Sequence, residues 1–108
     1  LKITLILESG ARIGPGKAAL LESVRATGSI AAAGRAMGMD YKRAWLLSDS
    51  LNQGFGHPVV ETATGCKGGG GASLTTLGQQ LIERYDALET SLNASAGKEL
   101  QALRELAN

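Results

Sequence analysis

A mainly α-helical domain with one small β-hairpin is the fold class this sequence predicts, and three observations carry the prediction. Two short helical segments, Ile30 to about Met37 and Tyr41 to about Gln53, are separated only by Gly38-Met39-Asp40. That is the arrangement of a helix-turn-helix. After them, the β-prone runs Pro58–Thr62 and Ala72–Thr75 bracket a loop with four consecutive glycines, Gly68–Gly71. Adjacent glycines cannot form the interior of a helix or strand, because each gives up the most backbone freedom of any residue on ordering. Between two strands they make the tip of a hairpin wing. From Thr75 onward, apolar residues return at helical spacing. The whole reads as a winged helix-turn-helix over residues 1–75, followed by a C-terminal dimerisation helix or helices over residues 76–108.

Each element follows from its residues. Leu1-Lys2-Ile3-Thr4-Leu5-Ile6-Leu7 is β-prone and stops at the turn formers Glu8-Ser9-Gly10, so it predicts one strand. Gly10 to Gly16 reads as a turn-rich connector. A first helix spans about Lys17 to Ala26, with Ala18, Leu20, Leu21 and Val24 on its inner face and Thr27-Gly28 as its stop. Ser29 is the N-cap expected for the second helix. The small residues of that helix admit a close neighbour, with Gly34 allowing a tight crossing and Gly38 fitting the turn. Asp40 caps the third helix, and Gly54 and Gly56 end it. Its inner stripe is Ala44, Leu47, Leu51 and Phe55, with the Ser48 hydroxyl bonded back to a helix carbonyl. Trp45 either covers the junction with the wing or projects outward, and its size favours a core or hinge position.

Thr75 or Thr76 caps the last helical region, where Leu77, Leu81, Tyr85, Leu88 and Leu92 form one stripe. Leu100, Leu103 and Leu106 extend it beyond Gly97, which leaves one long helix and two shorter ones both open. A domain this small cannot cover so much apolar surface by itself. Leu81, Tyr85, Leu88 and Leu92 are therefore assigned to contact with a second copy.

Composition narrows the function. At 108 residues and 44% hydrophobic, the chain supports one folded domain with a modest core. Residues 1–56 carry a net charge of +3, residues 57–75 are neutral and residues 76–108 carry −2. This suits a body that faces a polyanion and a tail that does not. One cysteine and one histidine exclude an intrachain disulfide and a zinc site between them, and point to the reducing cytoplasm. No apolar run is long enough to span a bilayer, and no leader is visible. No serine-histidine-acid set, paired histidine or acidic cluster is present, so neither an enzyme nor a cofactor is expected. The glycine-rich loop is a poor P-loop, since Lys67 precedes the glycines and Ala72 follows them. Cys66 beside Lys67 is either a reactive thiol or a tolerated small residue.

A helix-turn-helix places the first turn of its second helix against base edges in the major groove. Lys42 and Arg43 stand there, and an arginine can bond both acceptors of guanine. Tyr41 can meet a phosphate or a thymine methyl, and Ser29 with the N–H groups beside it can hold a phosphate. On the wing, Lys67 offers charge while Gly68, Gly69 and Gly70 let backbone come close to a partner. The bland alternatives are a solvated basic turn and a merely flexible tip.

The segments Gly28–Ala33, Met37-Gly38-Met39, Tyr41–Trp45, Leu51-Asn52, Glu61–Ala72 and Leu74-Thr75 closely resemble the N-terminal domain of the ModE family of molybdate-responsive regulators. More broadly they are similar to the winged domains of LysR-type regulators. The resemblance covers roughly residues 10–92 and implies a homodimer joined through its terminal helices on a palindromic operator in double-stranded DNA. It implies DNA contact by Ser29, Tyr41, Lys42, Arg43 and the wing residues from Thr64 to Gly71. Cys66 departs from it, standing where the family usually has glycine. The family's C-terminal molybdate-binding domains have no counterpart before Asn108, so molybdate binding by this chain is not expected. The reading from a different class is a dimeric winged-helix module that holds a protein partner.

Overall fold

In the computed structural model, which describes residues 2–63 and 71–107, the N-terminal segment is already more than the single strand expected. Strand β1 (Leu5–Ile6) pairs antiparallel with β2 (Arg12–Ile13), in the register Leu5 opposite Ile13 and Ile6 opposite Arg12. The stretch read as a connector therefore supplies a strand. Gly10 reverses the chain at φ +90, and the Leu7 N–H donates to the Ala11 carbonyl at 2.8 Å. Two-residue strands are too short to leave an alternation in the sequence.

Helices α1 (Pro15–Thr27), α2 (Ile30–Ala36) and α3 (Tyr41–Phe55) follow. α1 begins two residues earlier than its apolar pattern, because Pro15 at the first helical position has no N–H to leave unpaired. The Ser29 hydroxyl accepts from the Ala32 N–H at 3.0 Å and opens α2. The Asp40 carboxylate accepts from the Arg43 N–H at 2.8 Å and opens α3. Gly38 takes φ +71 in the turn between them, a conformation L side chains resist. A Cβ on Gly34 would lie 3.2 Å from the Ala44 Cβ, so the tight crossing read from the sequence is present. Ala44, Ser48 and Leu51 form the buried face of α3, and the Ser48 hydroxyl donates to the Ala44 carbonyl at 3.0 Å as expected. Gly56 ends α3, whereas Gly54 lies inside it, close against Ala11 of the first hairpin.

Strands β3 (Val60–Ala63) and β4 (Gly71–Leu74) form the second antiparallel hairpin, with Val60 opposite Leu74 and Ala63 opposite Gly71. The Ala72 N–H donates to the Gly28 carbonyl at 2.8 Å, which seats β4 beside the start of the helix-turn-helix. Leu20, Leu21 and Val24 of α1 fill the centre of the core with Ile13, Leu51 and Val59.

Helix α4 (Thr76–Ser95) is capped by Thr75, whose hydroxyl accepts from the Gly78 N–H at 3.1 Å. It packs on the body through Gly78, Ile82 and Tyr85. At Gly78 any Cβ would overlap the Val59 carbonyl oxygen. Ile82 was absent from the expected stripe, and Tyr85 corrects that stripe. Assigned above to contact between copies, Tyr85 is only 4% exposed, and its hydroxyl donates to the Ile3 carbonyl at 2.6 Å. A buried tyrosine needs an acceptor for its O–H, and the N-terminal segment supplies one. Burial, then the carboxylates of Glu89 and Asp86, raise its pKa and keep it a donor. Leu81 also corrects the stripe, since it is half-buried against this chain's own core, while Leu88 and Leu92 are half-buried further along α4.

At Ala96 the chain turns into α5 (Gly97–Leu106), so of the two open arrangements the two-helix one is found. No residue of α5 is buried, and Leu103 and Leu106 are 61% and 82% exposed. The radius of gyration of 16.0 Å exceeds the roughly 13 Å of a compact chain of this length. No helix among the described residues is long and apolar enough to cross a membrane.

Candidate nucleic-acid interface

Because Ala44, Ser48 and Leu51 anchor α3 and Leu47 packs half-buried against the core, the other residues of its first two turns face outward. Tyr41 is 56%, Trp45 42% and Leu46 50% exposed, and Lys42 and Arg43 are exposed beside them. At about 100° per residue, Lys42 and Leu46 point directly away from the core, while the others divide between two flanks. Tyr41, Trp45 and Asn52 look toward the β3–β4 hairpin. Arg43, Leu47 and Ser50 look toward β2 and the start of α1.

On the hairpin side a groove of about 370 Å³ runs between α2, α3 and the two strands, lined among others by Ser29, Tyr41, Trp45, Thr62 and Ala72. Ser29 and Tyr41 thus line the same groove. The Ser29 oxygen is used in capping α2, but its proton remains available to a ligand acceptor. Trp45 is corrected here. A core position is not what the fold uses, because Ile30 and Ala33 of α2 already fill the interior beside Ala44. The indole lies along the groove at the junction with the hairpin, a hinge position that leaves it 42% exposed.

Asn52 holds the hairpin at its angle to α3. Its side-chain oxygen accepts from the Val59 N–H at 2.7 Å and the Val60 N–H at 3.0 Å, and its amide donates to the Val60 carbonyl at 3.2 Å. On the other flank, Arg43 shares a groove of about 480 Å³ with Arg12, Lys17 and Leu47. The structure therefore parts Arg43 from Tyr41, its near neighbour in sequence. Among the described residues the only ion pair is Arg25 with Glu22 at 2.5 Å, so none of these α3-side cations is held by a carboxylate. Thr64, Lys67, Gly68, Gly69 and Gly70 lie outside the described residues.

Sequence reading missed Leu46, Asn52, Arg12 and Lys17. Leu46 had a signal, being a large apolar residue off the inner stripe of its helix. The other three become neighbours of the site only when strands and helices pack.

No family model matches the chain. Among curated proteins it is 45% identical over 89 residues to the molybdenum-pterin-binding protein MopB of Rhodobacter capsulatus, across 82% of this chain and 33% of that one. It is 43% identical over 86 residues to the DNA-binding transcriptional dual regulator ModE of Escherichia coli K12, across 80% of this chain and 33% of that one. This chain carries a ModE-like domain. The molybdenum transport protein ModE of Azotobacter vinelandii aligns with nearly all of it, 29% identical over 105 residues that make up 97% of this chain and 39% of that protein. The ModE-like chain thus spans about a third of the length of the curated relatives it matches.

Proposed function

We propose that the ModE-like domain binds double-stranded DNA sequence-selectively, as a homodimer, in the service of transcriptional control in the cytoplasm. The observation that carries this reading is α3, whose anchored inner face leaves Tyr41, Lys42, Arg43, Trp45 and Leu46 exposed, with cations that no carboxylate among the described residues engages. In this reading the first turn of α3 enters the major groove. Arg43 bonds a guanine edge, Lys42 and Tyr41 meet backbone or base, and Ser29 donates to a phosphate. Lys67, with Thr64 and Gly68 to Gly70 in the sequence between β3 and β4, adds a phosphate contact. The relative named a DNA-binding transcriptional regulator supports the assignment.

The pairing of two copies is supported by α5. A ten-residue helix with no buried side chain is marginal in water, so a partner surface must hold it. Leu88 and Leu92 of α4 with Leu103 and Leu106 of α5 form that surface on a second copy. Two copies double the base pairs read, and the preferred site is a palindrome with half-sites about one helical turn apart or a multiple of it.

The test is selection of duplexes from a random pool, followed by titration of the enriched sequence and by sedimentation equilibrium. A dimer with a palindromic preference is expected. Leu88→Glu with Leu92→Glu should give a folded monomer with much weakened binding. Failure of the wild type to enrich any sequence, or a monomer that binds a half-site tightly, overturns the reading.

A further inference from the structure

The flank of α3 that faces away from the β3–β4 hairpin gathers positive charge from three separate elements. Arg12 comes from β2, Lys17 from the first turn of α1 and Arg43 from α3, and all three line one groove with Thr4, Pro15 and Leu47. No carboxylate is among the residues that line it. Lys17 is also held in place. Its ammonium donates to the Arg12 carbonyl at 3.3 Å and to the Ser50 hydroxyl at 3.1 Å, which leaves one of its three N–H donors for a ligand. Cations drawn together without a counter-charge repel one another, and a bound anion relieves that cost.

We infer that Arg12 and Lys17 form a second phosphate-binding shelf, which seats the DNA backbone on the side of α3 opposite the hairpin. The inference rests on the DNA-binding reading and adds to it a surface formed by the first hairpin and α1. The geometry of B-DNA supplies the reason. The major groove is about 12 Å wide, and a helix with its side chains is about 10–12 Å across. A helix in that groove therefore has a phosphate backbone along each flank. The hairpin serves one backbone, where the groove offers the hydroxyls of Ser29, Tyr41 and Thr62. The shelf serves the other with charge. Arg12 brings a guanidinium fork and Lys17 a point charge, while Arg43 on α3 itself reaches inward to the base edge.

The experiment uses the full chain, a duplex enriched from a random pool and a duplex of unrelated sequence, each titrated over a range of salt concentrations. Arg12→Gln with Lys17→Gln should lower the slope of log affinity against log salt by about two per protomer on both duplexes, with the base preference kept. Gly16→Glu tests the same surface by another route. Nothing lies within 4 Å of a Cβ built at Gly16, so a carboxylate can stand beside the shelf without disturbing the packing. It should weaken both duplexes about tenfold or more at low salt, while Gly16→Gln leaves them unchanged. If the double variant melts early, Gly16→Glu alone decides. Wild-type slope and affinity in these variants, or a changed base preference with an unchanged slope, overturn the shelf and leave the DNA-binding reading standing. A wild type that binds neither duplex overturns both.

Discussion

The two flanks of α3 differ in chemistry and in how they are held. Toward the second hairpin the helix presents Tyr41 and Trp45, and the groove beside them has hydroxyls but no charged side chain among its described lining. That flank is fixed by Asn52, which pairs backbone groups of Val59 and Val60 that would otherwise be stranded. Toward the first hairpin the helix presents Arg43 beside Arg12 and Lys17, fixed by exposed hydrogen bonds of Lys17. Partly buried hydrogen bonds define shape and are costly to lose. Exposed charge defines a field, which is screened by salt and contributes little to folding. Damage to the first flank should therefore appear in stability and in salt-independent affinity, and damage to the second in the salt dependence.

The sharpest break is Asn52→Ala. It removes three hydrogen bonds and leaves backbone N–H groups at the hairpin base unpaired, so unfolding in urea should show a loss of roughly 2–4 kcal/mol. Asn52→Asp, which keeps the acceptor, should lose less. Equal stability in Asn52→Ala and wild type would mean that the hairpin is positioned by packing alone.

Next comes Arg43→Ala. On the selected site it should cost about 1–3 kcal/mol and flatten base preference at one position in each half-site, as read by a second selection. Retained preference would make Arg43 one more phosphate contact and erase its distinction from Arg12.

Trp45→Ala should weaken binding to the selected duplex by about 1–2 kcal/mol with an unchanged salt slope, because the indole offers apolar surface and no charge. Its melting temperature should move little, since the side chain lies largely outside the core. A large loss of stability would return Trp45 to the core position that its size suggested. The smallest effect belongs to Ser50→Ala. Removing this exposed partner of Lys17 should change stability by no more than about 0.5 kcal/mol, and a larger change would show that the basic flank is also held by structure.

Legibility in the sequence followed the range of each signal. Ser29, Asp40 and Thr75 were readable as caps because a cap depends on neighbours two or three residues away. The hydroxyl of Ser48 was readable because its acceptor lies one helical turn back, and the close crossing at Gly34 because the short turn forces α2 and α3 together where only small side chains fit. Tyr85 was misassigned because helical spacing locates an apolar stripe without saying which chain covers it, and the Ile3 carbonyl that receives its hydroxyl is 82 residues away. Arg12 and Lys17 gave no sign at all. One stood in an apparent connector and the other at the start of an ordinary amphipathic helix.

By itself the sequence determined the helix-turn-helix, the second hairpin and the helical C-terminal region, since periodicity, capping and turn chemistry act over a few residues. It also determined that the first turn of α3 would be basic and aromatic. Only the tertiary structure decided that these side chains part to opposite flanks, that Trp45 lies in a groove and that Tyr85 belongs to the core. It alone joined Arg12 and Lys17 to Arg43. Those outcomes depend on which surfaces meet when distant segments pack, and a local pattern has no reach over such distances.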